Sequence, residues 1–187
     1  MSLFKQRAYT LLEVLMVMAL IALFAAMSMP SLQGFIEHAS DALIQSQITQ
    51  TIERARTEVK SRGWPVSICH TKSNVACDGE WRDGLLVFVD RLKLGTVQTG
   101  DDIIAATQLH TADGVLYWRA YPVSHPYIRM VPDQLVAVDN GMFWYCHSLR
   151  KWPAFAVAIN RTGLVRVLYP DHQGEIRDSR GKSLVCA

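Results

Sequence analysis

From Val14 to Ile36 the chain carries no charged residue, and this run constrains the fold more than any other feature. It is entered through a basic leader ending at Ala8, then an aromatic residue, Tyr9, and a single carboxylate, Glu13. Residues 9–29, taken as a helix, rise about 31 Å at 1.5 Å per residue, enough to cross a bilayer. An export signal of the ordinary kind is cut after its apolar core. Here Ala26 and Ser28 imitate such a site, but Pro30 and an amphipathic stretch follow directly. The small residue placed as a junction is Ala8, ahead of the core. A cut there removes residues 1–8 and leaves a chain that begins at Tyr9, while Lys5 and Arg7 hold the leader on the cytoplasmic side.

Glu13 is the anomaly in that segment. A charge at the centre of a membrane helix costs about 2.5–3.5 kcal/mol on insertion scales, and less near the interface. It is tolerated if it meets a cation. The new α-amine of Tyr9, on a neighbouring copy or another subunit, lies at a matching depth.

Past Pro30 the apolar positions Leu32, Phe35, Ile36, Ala39, Leu43, Ile48, Ile52, Ala55 and Val59 recur at helical spacing, with Asp41, Gln45, Gln47 and Arg54 between them. The pattern predicts an amphipathic helix over 30–62 that continues the membrane part, is kinked at Pro30, and stops at Gly63 and Pro65. From Tyr9 to Arg62 such a helix is about 80 Å long, so its first half has to lie in a bilayer or among other helices. Residues 63–187 read as one β-rich domain. Strands are expected at 66–69, 85–90, 105–110, 115–120, 127–131, 135–138, 142–146, 155–160, 165–169 and 184–186. Turns at Asp113-Gly114, Asn140-Gly141 and Thr162-Gly163 separate several of them. Residues 91–104 read as a loop. The fold class is α+β: a long N-terminal helix, membrane-embedded and then amphipathic, packed on an antiparallel β-sheet domain.

The formal net charge of +2 misleads. Without Lys5 and Arg7 the basic residues equal the 17 acidic ones, so a nucleic-acid role needs a local patch. Cys69, Cys77, Cys146 and Cys186 all lie beyond the membrane segment, and an even count in an exported domain favours disulfides. Three pairings are possible. Cys69 and Cys77 bracket a polar loop and form the near pair, which leaves Cys146 for Cys186. A zinc site is the rival idea, since His70 follows Cys69 and His147 follows Cys146, but the spacing fits no familiar ligand pattern. His38, His110, His125 and His172 are scattered, and no nucleophile elbow, metalloprotease helix, phosphate loop or paired-carboxylate signature occurs. Trp81, Trp118, Trp144 and Trp152 suit packing better than a ligand cage. Neither an enzyme nor a cofactor or metal is expected.

The N-terminal stretch Ala8-Tyr9-Thr10-Leu11-Leu12-Glu13 resembles the type III signal of type IV pilins and type II secretion pseudopilins, with Ala in place of the usual Gly and Tyr in place of Phe. The resemblance implies cutting between Ala8 and Tyr9 by an inner-membrane prepilin peptidase, N-methylation of Tyr9, and a role for Glu13 in filament assembly. Further on, Ala55-Arg56-Thr57-Glu58, Val66-Ser67-Ile68-Cys69, Gly79-Glu80-Trp81, residues 84–90, residues 141–146, residues 156–166 and the final Cys186 resemble the GspH/FimT group. This implies a minor pilin, FimT-like or FimU-like, with the secretion pseudopilin as the alternative. The implied partners are other pilins and minor pilins, the prepilin peptidase and the inner-membrane assembly platform. The implied location is the bacterial inner membrane, single-pass with a periplasmic C-terminal domain, and later the pilus surface, in a tip complex. Some FimT-like pilins bind DNA through a Gly-Arg-x-Arg motif. The matching residues here are Gly163-Leu164-Val165-Arg166, so only the second Arg is present. Arg161 is the candidate substitute, with Arg177, Arg180 and Lys182 beyond it, interleaved with Asp171, Glu175 and Asp178. That is a dilute patch for phosphate binding.

Overall fold

The structure, a computed structural model, describes residues 10–111, 114–132, 140–148 and 150–186, and for residues 26–33 the backbone alone. The chain divides into two units, Met1–Ala39 and Ser40–Ala187. One helix, α1 (Leu11–Arg62, 52 residues), contributes to both. Local chemistry sets its ends. The Thr10 hydroxyl accepts the Glu13 N–H at 3.3 Å, the N-cap bond of a Thr-x-x-Glu sequence. At the other end Gly63 takes φ +68° and donates its N–H to the Val59 carbonyl at 3.1 Å, an αL cap that glycine adopts without steric cost. Pro65 keeps the helix from resuming. The helix assignment runs unbroken through Pro30.

In the first unit the apolar side chains of residues 11–24 are exposed, Leu11 at 80% and Phe24 at 66%. In the second unit Ile44, Ile48, Ile52, Ala55 and Val59 form a buried stripe in steps of three and four. Leu43, expected on that stripe, is exposed, and Ile44 takes its place: counting back four residues from Ile48 keeps the same face.

Eight strands follow: β1 (Val66–His70), β2 (Gly84–Val89), β3 (Ile103–Gln108), β4 (Val115–Tyr121), β5 (Tyr127–Met130), β6 (Asn140–Cys146), β7 (Phe155–Ile159) and β8 (Val165–Leu168). They make two antiparallel sheets, ordered β3-β2-β1-β5 and β4-β6-β7-β8. The helix stripe meets Ile68, Leu85, Val87 and Ile128 of the first sheet and Leu116, Phe143, Phe155 and Val157 of the second in one core. Polar bonds add to this seam. Thr51 Oγ1 is 3.2 Å from Thr107 Oγ1, Tyr169 donates its hydroxyl to Gln45 at 2.9 Å, and His147 Nε2 lies 2.9 Å from Asp41 Oδ1. Strand β2 is buried on both faces, because Leu86 and Phe88 on its far side pack with Cys69, Cys77, Val97 and Tyr127.

Three strands differ from the sequence expectation. β6 begins at Asn140 rather than 142, so Asn140 and Gly141, expected to form a turn, lie in the sheet, paired with Tyr121 and Ala120. β3 begins and ends two residues earlier than 105–110, because a bulge at Val87/Phe88 recruits Ile103 while Leu109 donates its N–H to Asp83 outside the ladder. Residues 184–186 are no strand: Leu184 and Cys186 are pinned singly, by N–H bonds to the carbonyls of Ile176 (2.8 Å) and Lys151 (3.0 Å). The expected strand at 135–138 lies outside the described residues. Disulfides join Cys69 to Cys77 and Cys146 to Cys186, with Cα–Cα distances of 5.6 and 5.8 Å.

Candidate functional site

Two regions carry the residues singled out by sequence, one in each unit. In the first, Ala8 and Tyr9 lie outside the described residues. Glu13 sits in the first helical turn, where its charge suits the positive end of the helix dipole. It is exposed, flanked by the exposed side chains of Leu11, Leu12 and Val14, and has no ion-pair partner among the described residues. Among the described residues no helix is long and apolar enough to cross a membrane.

The second region is the C-terminal third. Its loops are built by a repeated device. Asn160, Asp171 and Asp178 each open an Asx-x-x-Gly turn. In each, one side-chain oxygen accepts the N–H groups two and four residues ahead at 2.9–3.0 Å. In each, the fourth residue is a glycine at positive φ: Gly163 at 71°, Gly174 at 78° and Gly181 at 80°. These turns hold the carboxylates of Asp171 and Asp178 below the usual range. For Asp171 the Glu175 N–H leads, against burial and with help from Gln173. For Asp178 burial opposes the charge, but the N–H groups of Lys182 and Arg180 and the guanidiniums of Arg180 and Arg119 outweigh it.

The segment carrying the last two turns lies over the outer face of the second sheet, where Ile176 and Leu184 pack with Ala156, Met142, Trp144 and Leu168. Beside it a groove of about 800 Å³ remains open. Arg166 and Arg180 line it, together with Arg119 of β4. Asp178 Oδ2 sits 3.2 Å from Arg119 and 3.6 Å from Arg180. Arg166 is exposed and has no ion-pair partner among the described residues. Arg161 is exposed on its turn and does not line the groove. Arg177 is engaged by Glu175 at 3.2 Å, and Lys182 contributes its backbone N–H to Asp178 at 3.0 Å. The structure thus gathers two of the five candidate cations and adds Arg119, which sequence reading had not marked. The register supplies the missing link: Arg119 pairs Met142, Met142 pairs Ala158 and Ala158 pairs Arg166, so the two arginines share one row of the sheet.

The described residues hold no cluster of three or more His, Cys, Asp or Glu that could bind a metal. His70 bonds the Asp78 carbonyl through Nδ1 at 3.1 Å, and its neighbour Cys69 is taken up in a disulfide. Trp81 and Trp118 pack on Phe143 at 5.1 and 4.5 Å between ring centroids.

Residues 3–29 match the family model described as the prokaryotic N-terminal methylation motif. In structure the chain is similar to the type IV minor pilin FimU of Pseudomonas aeruginosa strain PAO1. One crystal form gives a TM-score of 0.53 at 15% identity, covering 72% of this chain and 92% of that one. A second crystal form gives 0.50 at 15% identity, covering 68% and 91%. At that identity the likeness shows a shared fold. No curated protein matches the chain.

Proposed function

We propose that this chain is a type IV minor pilin, a non-enzymatic subunit held in the bacterial inner membrane by residues 9–29 and then assembled with other pilins into a surface filament. One observation carries the reading: a methylation motif over residues 3–29 runs directly into a helix whose second half is packed on a FimU-like domain. In this reading the peptidase cuts between Ala8 and Tyr9 and methylates the new amine. The domain at 63–187 is periplasmic before assembly. Glu13 steers incorporation by meeting the amine of a neighbouring subunit. The exposed apolar side chains of residues 11–24 are then covered, first by lipid and later by other helices. A pseudopilin of type II secretion would share the motif, the helix and the fold, and is the alternative reading. Tip placement and DNA uptake are finer roles on the same scaffold.

Replacing Glu13 by Ala tests the assembly role. Removing the charge lowers the cost of insertion, so the variant remains in the membrane fraction. It is expected to be missing from sheared filaments. Normal amounts of the variant in those filaments would contradict the pairing.

A further inference from the structure

We propose that the groove on the outer face of the second sheet is a binding site for an extended acidic peptide, with Arg166 as its open anchor. The inference does not depend on the filament reading. Arg119 and Arg166 stand at the two ends of one row, with Met142 and Ala158 between them as an apolar floor. Three strand spacings separate them, about 14 Å at roughly 4.8 Å per step. An extended peptide crossing the strands at about 3.4 Å per residue places side chains four apart at that same distance and on the same face. Carboxylates at those positions reach both arginines, and the side chain between them rests on the floor.

Three observations select a carboxylate-bearing peptide. The groove already receives a carboxylate of its own, since Asp178 is shared by Arg119 and Arg180, and among the described residues it leaves Arg166 unmatched. The Oδ1 atom of Asn140, on the groove wall, is buried with no hydrogen-bond partner among the described residues and suits a peptide N–H. The aromatic rings beside the groove are already occupied. Arg180 lies over Tyr121 at 5.3 Å, and Trp144 is stacked on Tyr117 at 5.2 Å and covered by Arg119 at 5.6 Å. A single-stranded nucleic acid, which binds by stacking its bases on open rings in a densely positive channel, finds neither feature here.

The test uses the full chain in detergent and a fluorescein-labelled Glu-Val peptide of repeat Glu-Ser-Val-Ser, which sets carboxylates four apart with Val between them on one face, read by fluorescence polarisation. A Gln-Val peptide and a labelled oligothymidylate are the comparison probes. The Glu-Val peptide is expected to bind and the other two to bind far less. Arg166→Gln is expected to weaken binding about five-fold, the size of one well-placed exposed ion pair, with the melting temperature unchanged. Arg166→Lys restores part of the affinity, and Arg161→Gln has no effect. The proposal is overturned if the Glu-Val peptide does not bind, if oligothymidylate binds more tightly, or if Arg161→Gln and Arg166→Gln weaken binding alike.

Discussion

Arg129 Nε stands 3.4 Å from Asp90 Oδ2, and Asp90 has no exposure to solvent. The carboxylate is the hub of the loop after β2. It also accepts the Ser67 hydroxyl at 2.7 Å, the Leu94 N–H at 2.8 Å and the Gly95 N–H at 2.9 Å. Asp90→Ala strands all of these donors, whereas Arg129→Met leaves the carboxylate its three uncharged ones. The expected loss is about 3 kcal/mol or more for Asp90→Ala and clearly less for Arg129→Met. Urea unfolding followed by tryptophan fluorescence measures both. An Arg129→Met variant as damaged as Asp90→Ala would mean that charge pairing, and not the closing of the loop, holds this corner.

Gly95 and Gly174 form a matched pair. Both take positive φ, 75° and 78°, but a Cβ on Gly95 would fall 2.2 Å from the Tyr127 ring, while one on Gly174 meets nothing within 4 Å. Alanine at either position incurs the left-handed backbone cost of about 1–2 kcal/mol. Only Gly95→Ala adds a clash, so it is expected to cost at least about 1 kcal/mol more. Equal losses would show that Tyr127 moves aside freely.

Asp78 closes the loop between the bonded Cys69 and Cys77. Its Oδ1 accepts the N–H groups of Lys72 at 2.8 Å and Ser73 at 3.1 Å and the Thr71 hydroxyl at 3.2 Å. The two backbone bonds, Lys72 first, lower its carboxyl to about 2. A depressed carboxylate stabilises the fold fully above the unfolded value near 4, and this contribution is lost as pH falls toward 2. The melting-temperature gap between the natural chain and Asp78→Asn is therefore expected to stay constant above about pH 5 and to narrow between pH 4 and 2. A gap that widens on acidification would contradict the assignment.

The two disulfides close loops of different length, with separations of 8 and 40 residues. Chain entropy gives about 2.5 kcal/mol for the shorter and about 4 kcal/mol for the longer. Replacing Cys146 and Cys186 together by Ala is expected to cost more than replacing Cys69 and Cys77. Non-reducing peptide mapping should recover the same two pairs, and a crossed pair or free thiols would refute the pairing.

Much of this architecture was legible because local chemistry and tertiary packing agree. The Gly63 stop, the alternating Phe155-Ala-Val-Ala-Ile159 strand and the Ile48–Ile52–Ala55–Val59 stripe each follow from one residue pattern. Leu43 and Ile44 were not separable by type, since both are large and apolar and only the neighbouring sheets decide which faces inward. The Asx-x-x-Gly turns at 160, 171 and 178 share one sequence pattern, of which a turn dipeptide marks only Thr162-Gly163. Arg119 was beyond sequence reading: it lies far along the chain from Arg166, and only the β4-β6-β7-β8 register sets the two in one row.

In the proposed reading the mature chain begins at Tyr9 and enters a filament. Intact-mass and N-terminal mass spectrometry of the protein from its bacterial membrane tests it most directly. The expected result is loss of Met1–Ala8 and one added methyl on the Tyr9 amine. Retention of Met1, or a cut near Pro30 that discards the apolar segment, would contradict the pilin account.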